Sequence, residues 1–141
     1  MYILSSGNIA TVCYSSSAQT STLAYTATAN NPNSYSIDWN AAANTAGLAD
    51  QTSTNYTFAS GSGTIPDIAI SAGAAAGTYS GTLTIRNTNN ITATLAVTIT
   101  INPLPTITTT GIATAKCFST SAQTTSLASV SYTHLTLPTK R

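Results

Sequence analysis

The chain has 141 residues, 42% hydrophobic and only 5% charged, with four basic residues, three aspartates, no glutamate, one histidine and a formal charge of +1. So few charges exclude a basic nucleic-acid surface and an acidic tail, while the hydrophobic content is too high for a disordered Ser/Thr tract. No apolar run reaches the ~18 residues of a membrane helix, and Met1-Tyr-Ile-Leu4 lacks the basic and long apolar regions of a secretory leader, so no membrane insertion is expected and Met1 reads as an internal position of a longer frame.

Hydrophobic residues alternate with a period of two along most of the chain, which is the pattern of strands with one buried and one wet face. Leu23 and Tyr25, extended by Ala27, predict a first clear strand, and Ala29-Asn-Asn-Pro-Asn33 predicts a turn. Tyr35, Ile37 and Trp39 alternate with Ser34, Ser36 and Asp38; a slip of one residue there would turn Trp39 out to solvent. The alanine-rich stretch from Ala41 to Gly47 suits one loose helical turn in a crossover loop. Ser60-Gly-Ser-Gly63 predicts a turn, and Ile68 and Ile70 predict a short strand started after Pro66. Beyond the Ala72–Gly77 turn, Tyr79, Leu83 and Ile85 alternate with threonines and place Gly81 on the apolar face. The Asn87-Thr-Asn-Asn90 turn leads to Leu95, Val97, Ile99 and Ile101. Strands separated by turns, with no helical period, predict an all-β chain folded as an antiparallel β-sandwich. The expected structural core is Leu23, Tyr35, Ile37, Trp39, Tyr79, Leu83, Ile85, Leu95, Val97 and Ile99.

The chain also repeats itself. Cys13-Tyr-Ser-Ser-Ser-Ala-Gln-Thr-Ser-Thr-Leu-Ala24 returns 104 positions later as Cys117-Phe-Ser-Thr-Ser-Ala-Gln-Thr-Thr-Ser-Leu-Ala128. Ile3 and Ile107, and Gly7 and Gly111, keep the same offset. That period suits one small domain per repeat rather than a solenoid unit. The expected organisation is a complete repeat over 1–103 and a linker with the truncated start of a second repeat over 104–129, the latter too short to bury a core of its own. Two prolines in Asn102-Pro-Leu-Pro105 make that joint extended and stiff. Residues 130–141 break the repeat: Val130-Ser-Tyr-Thr-His-Leu-Thr-Leu-Pro-Thr139 is similar to a sequencing adapter read in frame, and is expected to be a technical scar. Its alternation would still permit a strand. The scar would take with it His134, Lys140 and Arg141, leaving Arg86 and Lys116 against three aspartates, a formal charge of −1.

Three segments carry a resemblance. They are Ser34-Tyr-Ser-Ile-Asp-Trp-Asn-Ala-Ala-Ala-Asn-Thr-Ala-Gly47, Gly77-Thr-Tyr-Ser-Gly-Thr-Leu-Thr-Ile85 and Ile99-Thr-Ile-Asn-Pro-Leu-Pro105. Everything before Ser129 resembles the immunoglobulin-like or PKD-like repeats of very large cell-surface adhesins of Bacteroidota, often cargo of the type IX secretion system. The resemblance implies an immunoglobulin-like sandwich in an exported, extracellular tandem array. It also implies either a tyrosine corner at Tyr79, with the hydroxyl bonded to nearby backbone, or a core tyrosine with its hydroxyl at the rim. Related repeats carry a partner cysteine after the asparagine-rich turn; Asn89-Asn-Ile91 has none, so Cys13 is expected to be a buried, inert thiol. A Cys13–Cys117 bridge would need equivalent points of successive domains within about 7 Å.

The residues offer little chemistry. Asp38, Asp50 and Asp67 lack the clustered spacing of a calcium loop, and the histidine lies in the expected scar, so no Ser-His-Asp or Cys-His set can be assembled. No enzyme, metal or cofactor is expected. Thr82/Thr84, Thr92/Thr94 and Thr98/Thr100 suit the wet face of a strand better than an ordered water- or sugar-binding lattice, which sheet twist would spoil. Asn55-Tyr-Thr57 and Asn90-Ile-Thr92 match the N-glycosylation pattern. The expected role is a non-catalytic spacer repeat of a secreted or surface adhesin, partnered by neighbouring repeats of its own chain. The alternative is a carbohydrate- or surface-binding module that would recognise surface glycans through Tyr56, Phe58 and the asparagine turns. A binding module exposes its aromatic rings, whereas a spacer buries them.

Overall fold

The computed structural model describes residues 1–109, 122, 124 and 129–132. The chain divides into two compact units, Met1–Pro103 and Leu104–Arg141. In the first, strands β1 (Tyr2–Leu4), β2 (Val12–Cys13), β3 (Gln19–Tyr25), β4 (Ala27–Ala29) and β5 (Ser34–Trp39) precede a short helix, α1 (Ala41–Thr45). Strands β6 (Gln51–Asn55), β7 (Gly63–Ile70), β8 (Gly77–Arg86) and β9 (Thr92–Asn102) complete it. The fold is all-β. One five-stranded sheet has the order β2-β9-β8-β5-β6, antiparallel except that β2 runs parallel to β9. Antiparallel pairs β3-β7 and β1-β4 form the remainder.

The N-terminal segment takes part in two sheets. Tyr2–Leu4 pairs with β4, and Thr26 N–H donates to the Leu4 carbonyl. The chain then crosses to β9, where Thr98 N–H donates to Gly7 O and Ile9 N–H to Thr98 O. Gly7 makes the crossing possible: its φ is 74°, and any Cβ there would collide with the Ala96 carbonyl.

Strand alternation sends one face of each sheet into a single apolar cluster. Leu23, Ile65, Ile68 and Ile70 come from β3 and β7; Tyr35, Ile37, Trp39, Leu83, Ile85, Val97 and Ile99 come from the large sheet. All of these are at most 2% exposed, and each large aliphatic side chain so buried stabilises by roughly 1.5–3 kcal/mol before entropy is charged. Tyr79 and Leu95 differ from the rest of the expected core in being only partly buried against it. Tyr79 stands at the rim because its hydroxyl reaches back to the Ala75 and Ala76 carbonyls, at 3.1 and 3.4 Å. Leu95 lies before the point where the N-terminal segment joins β9, so that stretch has β8 as its neighbour on one side only.

Several local features differ from expectation. β7 does not start after Pro66 but runs through it. Ser21 pairs with Ile68 and Leu23 with Ile65, so two residues of β7, Pro66 and Asp67, oppose one of β3. Proline is tolerated because a bulge interrupts the ladder where its missing N–H would have been needed. β6, Gln-Thr-Ser-Thr-Asn, has no hydrophobic alternation to announce it; it is an edge strand held by β5. Cys13 is exposed rather than buried: it ends an edge strand in which Val12 takes the side packed on the core. The Ala41–Gly47 helical turn forms, capped by Asn40, whose side chain accepts from Ala43 N–H, and followed by Gly47 at φ 100°.

In the second unit, β10 (Thr106–Thr109) pairs antiparallel with β11 (Ser129–Tyr132), Thr106 opposite Tyr132 and Thr109 opposite Ser129. Moved back by 104 positions, these strands fall on residues 2–5 and 25–28, the region of β1 and of the β3–β4 junction, with the register changed by one. The expected scar thus supplies part of a strand. Cys117, His134 and the expectation that 106–128 lacks a core lie outside the described residues.

Trp39 packs against a strand that leaves no room there for a side chain. A Cβ on Gly81 would lie 2.7 Å from Trp39 Cε3 and 2.8 Å from the Asp38 carbonyl. Replacing Gly81 by Ala is therefore expected to cost about 1–3 kcal/mol through overpacking, read as a lower urea midpoint with the fluorescence of Trp39 as the probe.

Candidate functional site

The residues on which a binding role would rest gather around the asparagine turns. Asn30 and Asn31 adopt φ of 65° and 46°, and Asn90 of 58°, the left-handed region that asparagine tolerates better than most residues. Asn87, almost fully buried, organises both turns. Its Oδ1 accepts from Asn89 N–H and Ile91 N–H, each at 3.0 Å, and its Nδ2 donates to the Asn30 carbonyl at 3.2 Å. Asn33 N–H donates to Arg86 O, and Tyr56 N–H to Asn33 O. These links bring the Tyr56–Phe58 loop beside the turns, and Thr28 Oγ1 fastens it further by donating to Ala59 O.

The aromatic rings there face inward. Phe58 is 8% exposed and Tyr56 half-buried. Their rings meet edge to face at 4.7 Å, Tyr25 lies 5.6 Å from Phe58, and Tyr35 lies 6.3 Å from Tyr56. The hydroxyls are bonded to backbone: Tyr56 donates to Thr64 O at 2.6 Å, and Tyr25 accepts from Ala59 N–H at 2.9 Å. Tyr2, on β1, stands exposed, at 48%.

A second polar cluster lies between β5, β6 and β7. The Tyr35 hydroxyl donates to the Asp67 carbonyl at 2.9 Å. Gln51 Nε2 donates to the same carbonyl at 2.9 Å and to the Tyr35 hydroxyl at 3.2 Å, while Gln51 Oε1 accepts from Ala69 N–H at 2.9 Å. Gln51 sits opposite the buried Ile37 across β5-β6. Sequence reasoning passed over Gln51 and Asn87, which stand in polar stretches and acquire their roles only from strands distant in sequence.

The acids are dispersed. Asp38 and Asp67 are exposed side chains, and Asp50 Oδ1 accepts from Trp39 N–H at 2.9 Å. Two open depressions, of about 310 and 410 Å³, contain one carboxylate each, Asp38 beside Trp39 and Gly81 in the first, Asp50 beside Gln19 and Ile70 in the second. Among the described residues no three His, Cys, Asp or Glu side chains cluster as metal ligands, and no helix is long and apolar enough to cross a membrane. Trp39 Nε1 is buried without a hydrogen-bond partner among the described residues, so shape rather than polarity fixes that ring.

No family model, curated protein or solved structure matches the chain.

Burial raises the Tyr35 phenol above its ordinary pKa of 10.0, the Gln51 bond opposes the rise, and the Asp67 charge adds to it. Burial, followed by the neighbouring Tyr25 and Tyr35 phenols, likewise raises Tyr56. A folded-state pKa above the unfolded one gives stability that is complete below about pH 10 and is lost as the pH rises from there. Thermal melts are therefore expected to hold level to about pH 9 and fall above pH 10. Tyr35→Phe should cost about 1 kcal/mol at neutral pH and flatten the alkaline fall.

Proposed function

We propose that residues 1–103 form an immunoglobulin-like β-sandwich, one repeat of a tandem array that serves as a non-catalytic spacer in a large extracellular adhesin. The observation that carries this reading is the return of the Cys13–Ala24 segment at Cys117–Ala128. The sandwich assignment rests on the β3-β7 pair and the five-stranded sheet, which both send a buried face into one core, and on an N-terminal segment that pairs with β4 before Gly7 and with β9 after it. Tyr79 supports it further: its hydroxyl bonds the backbone three and four residues upstream, the tyrosine-corner arrangement.

The inward aromatics favour a spacer over a glycan-binding module, since a carbohydrate platform presents ring faces to solvent. Asn87, one of the asparagines that such a module would use, has its amide occupied with backbone groups of the two turns. The proline joint limits bending between units, and the scarcity of Lys and Arg leaves few sites for trypsin-like proteases on an exposed stalk.

The reading is tested with chains of one, two and three copies of the 104-residue period. Small-angle scattering is expected to show the maximum dimension growing by an equal step with each copy, and glycan arrays to show no retention. Retention that disappears in Tyr56→Ala, with unchanged scattering, would overturn the spacer in favour of the binding module.

A further inference from the structure

Strand β7 has β3 on one side and, among the described strands, no strand on the other. Such an edge normally offers its free N–H and C=O groups to any extended chain nearby. Here three of the groups on that side are already engaged by side chains. The Thr64 carbonyl accepts from the Tyr56 hydroxyl, the Asp67 carbonyl from Tyr35 and Gln51, and Ala69 N–H donates to Gln51 Oε1. Between them Pro66 has no N–H to offer, and the bulge at Pro66 and Asp67 breaks the even spacing that an incoming strand would need. Gln51 uses its amide as a strand uses its peptide group, donating to one residue of β7 and accepting from another two positions on.

We propose that Gln51, Tyr35 and Tyr56, together with the Pro66 bulge, form an edge guard that prevents β7 from pairing with β7 of a second copy of this chain. The inference stands on the edge geometry and does not depend on the spacer reading. A second copy is the partner to be excluded because its β7, Gly63–Ile70, alternates buried isoleucines with exposed residues and so carries an apolar face matched in length and register to the same edge. Neither the Tyr56 hydroxyl nor the Gln51 amide adds apolar surface to the core; both bond to β7 backbone. What those groups add is occupancy of the edge.

The test compares four full-length chains: the parent, Tyr56→Phe, the double variant Gln51→Ala/Tyr56→Phe, and a core variant, Val97→Ala, chosen because it is destabilised without touching the edge. Stability is matched by adjusting urea so that each chain has the same unfolded fraction, and association is followed by sedimentation velocity across a concentration series. The guard predicts that the double variant, which frees the Thr64 carbonyl and the Ala69 N–H, associates at roughly tenfold lower concentration than Val97→Ala, each freed group supplying about threefold, with Tyr56→Phe in between. It also predicts that, with Cys13 and Cys117 replaced by serine, a cysteine placed at Thr64 crosslinks between copies most in the double variant, less in Tyr56→Phe and not in the parent. Should the double variant fail to fold, Tyr56→Phe decides the matter, since it removes a single hydroxyl. Equal association of edge and core variants at matched unfolded fraction, or a Tyr56→Phe chain as monomeric as the parent, would overturn the proposal.

Discussion

The carbonyl of Asp67 is the point at which β7 is tied to β5 and β6 of the five-stranded sheet. Pro66 forces a bulge into β7, and the bulge turns this carbonyl away from its own ladder. A carbonyl left dry without a partner costs about 1–3 kcal/mol. The Tyr35 hydroxyl, carried into the core by a ring that is 1% exposed, faces the same penalty. Each resolves the other, and Gln51 joins them from β6. The interaction is directional, so it fixes where β7 lies against β5 and β6 in a way that apolar packing alone does not. Burial of Ile37, Ile65 and Ile68 then follows from that placement.

The same device recurs wherever the chain turns. Asn87 binds three backbone groups across two turns, Asn40 caps α1, and Asp50 takes the Trp39 N–H. In a chain with 5% charged residues, most of this wiring joins neutral groups, which salt does not screen. An amide or hydroxyl bonded to backbone gives local order without the desolvation cost of an ion. Composition and architecture are therefore linked: the asparagines, glutamines and tyrosines do the work that ion pairs perform in charged proteins.

The alternating strands were legible because one buried face leaves a period of two in the sequence. Tyr35–Trp39, Gly77–Ile85 and Leu95–Ile101 read directly from that pattern, as did the asparagine and glycine turns. β6 was not legible, because an edge strand of Gln, Thr and Ser has no buried face to mark it. β7 was read too short, because Pro66 looks like a boundary until the bulge it forms in β7, opposite Thr22 of β3, is known. Cys13 was misplaced because chemical type was used where strand parity decides: Val12 packs inward and the next residue must face out. Gln51, and the link from Asn87 to the Asn30 turn, were beyond reach, since those partners lie 16 to 18 and 57 positions away in sequence.

Strand β2, near the start of the first unit, and β9, at its end, are neighbours in one sheet. β2 runs parallel to β9, the strand that leads to the joint, and the pairing is reinforced by Ile9 N–H to Thr98 O and Tyr14 N–H to Asn102 O. Tension applied between the N-terminal segment and the proline joint loads these bonds together in shear rather than one after another, which suits a unit strung in series. Pulling on a chain of several copies in a single-molecule force instrument tests the central claim, that about one hundred residues make a self-contained repeat. The account predicts a regular series of unfolding events, one per copy, each releasing roughly 35 nm of contour at about 3.3–3.6 Å per residue. Irregular spacing, or extension without resistance until the chain is taut, would contradict it.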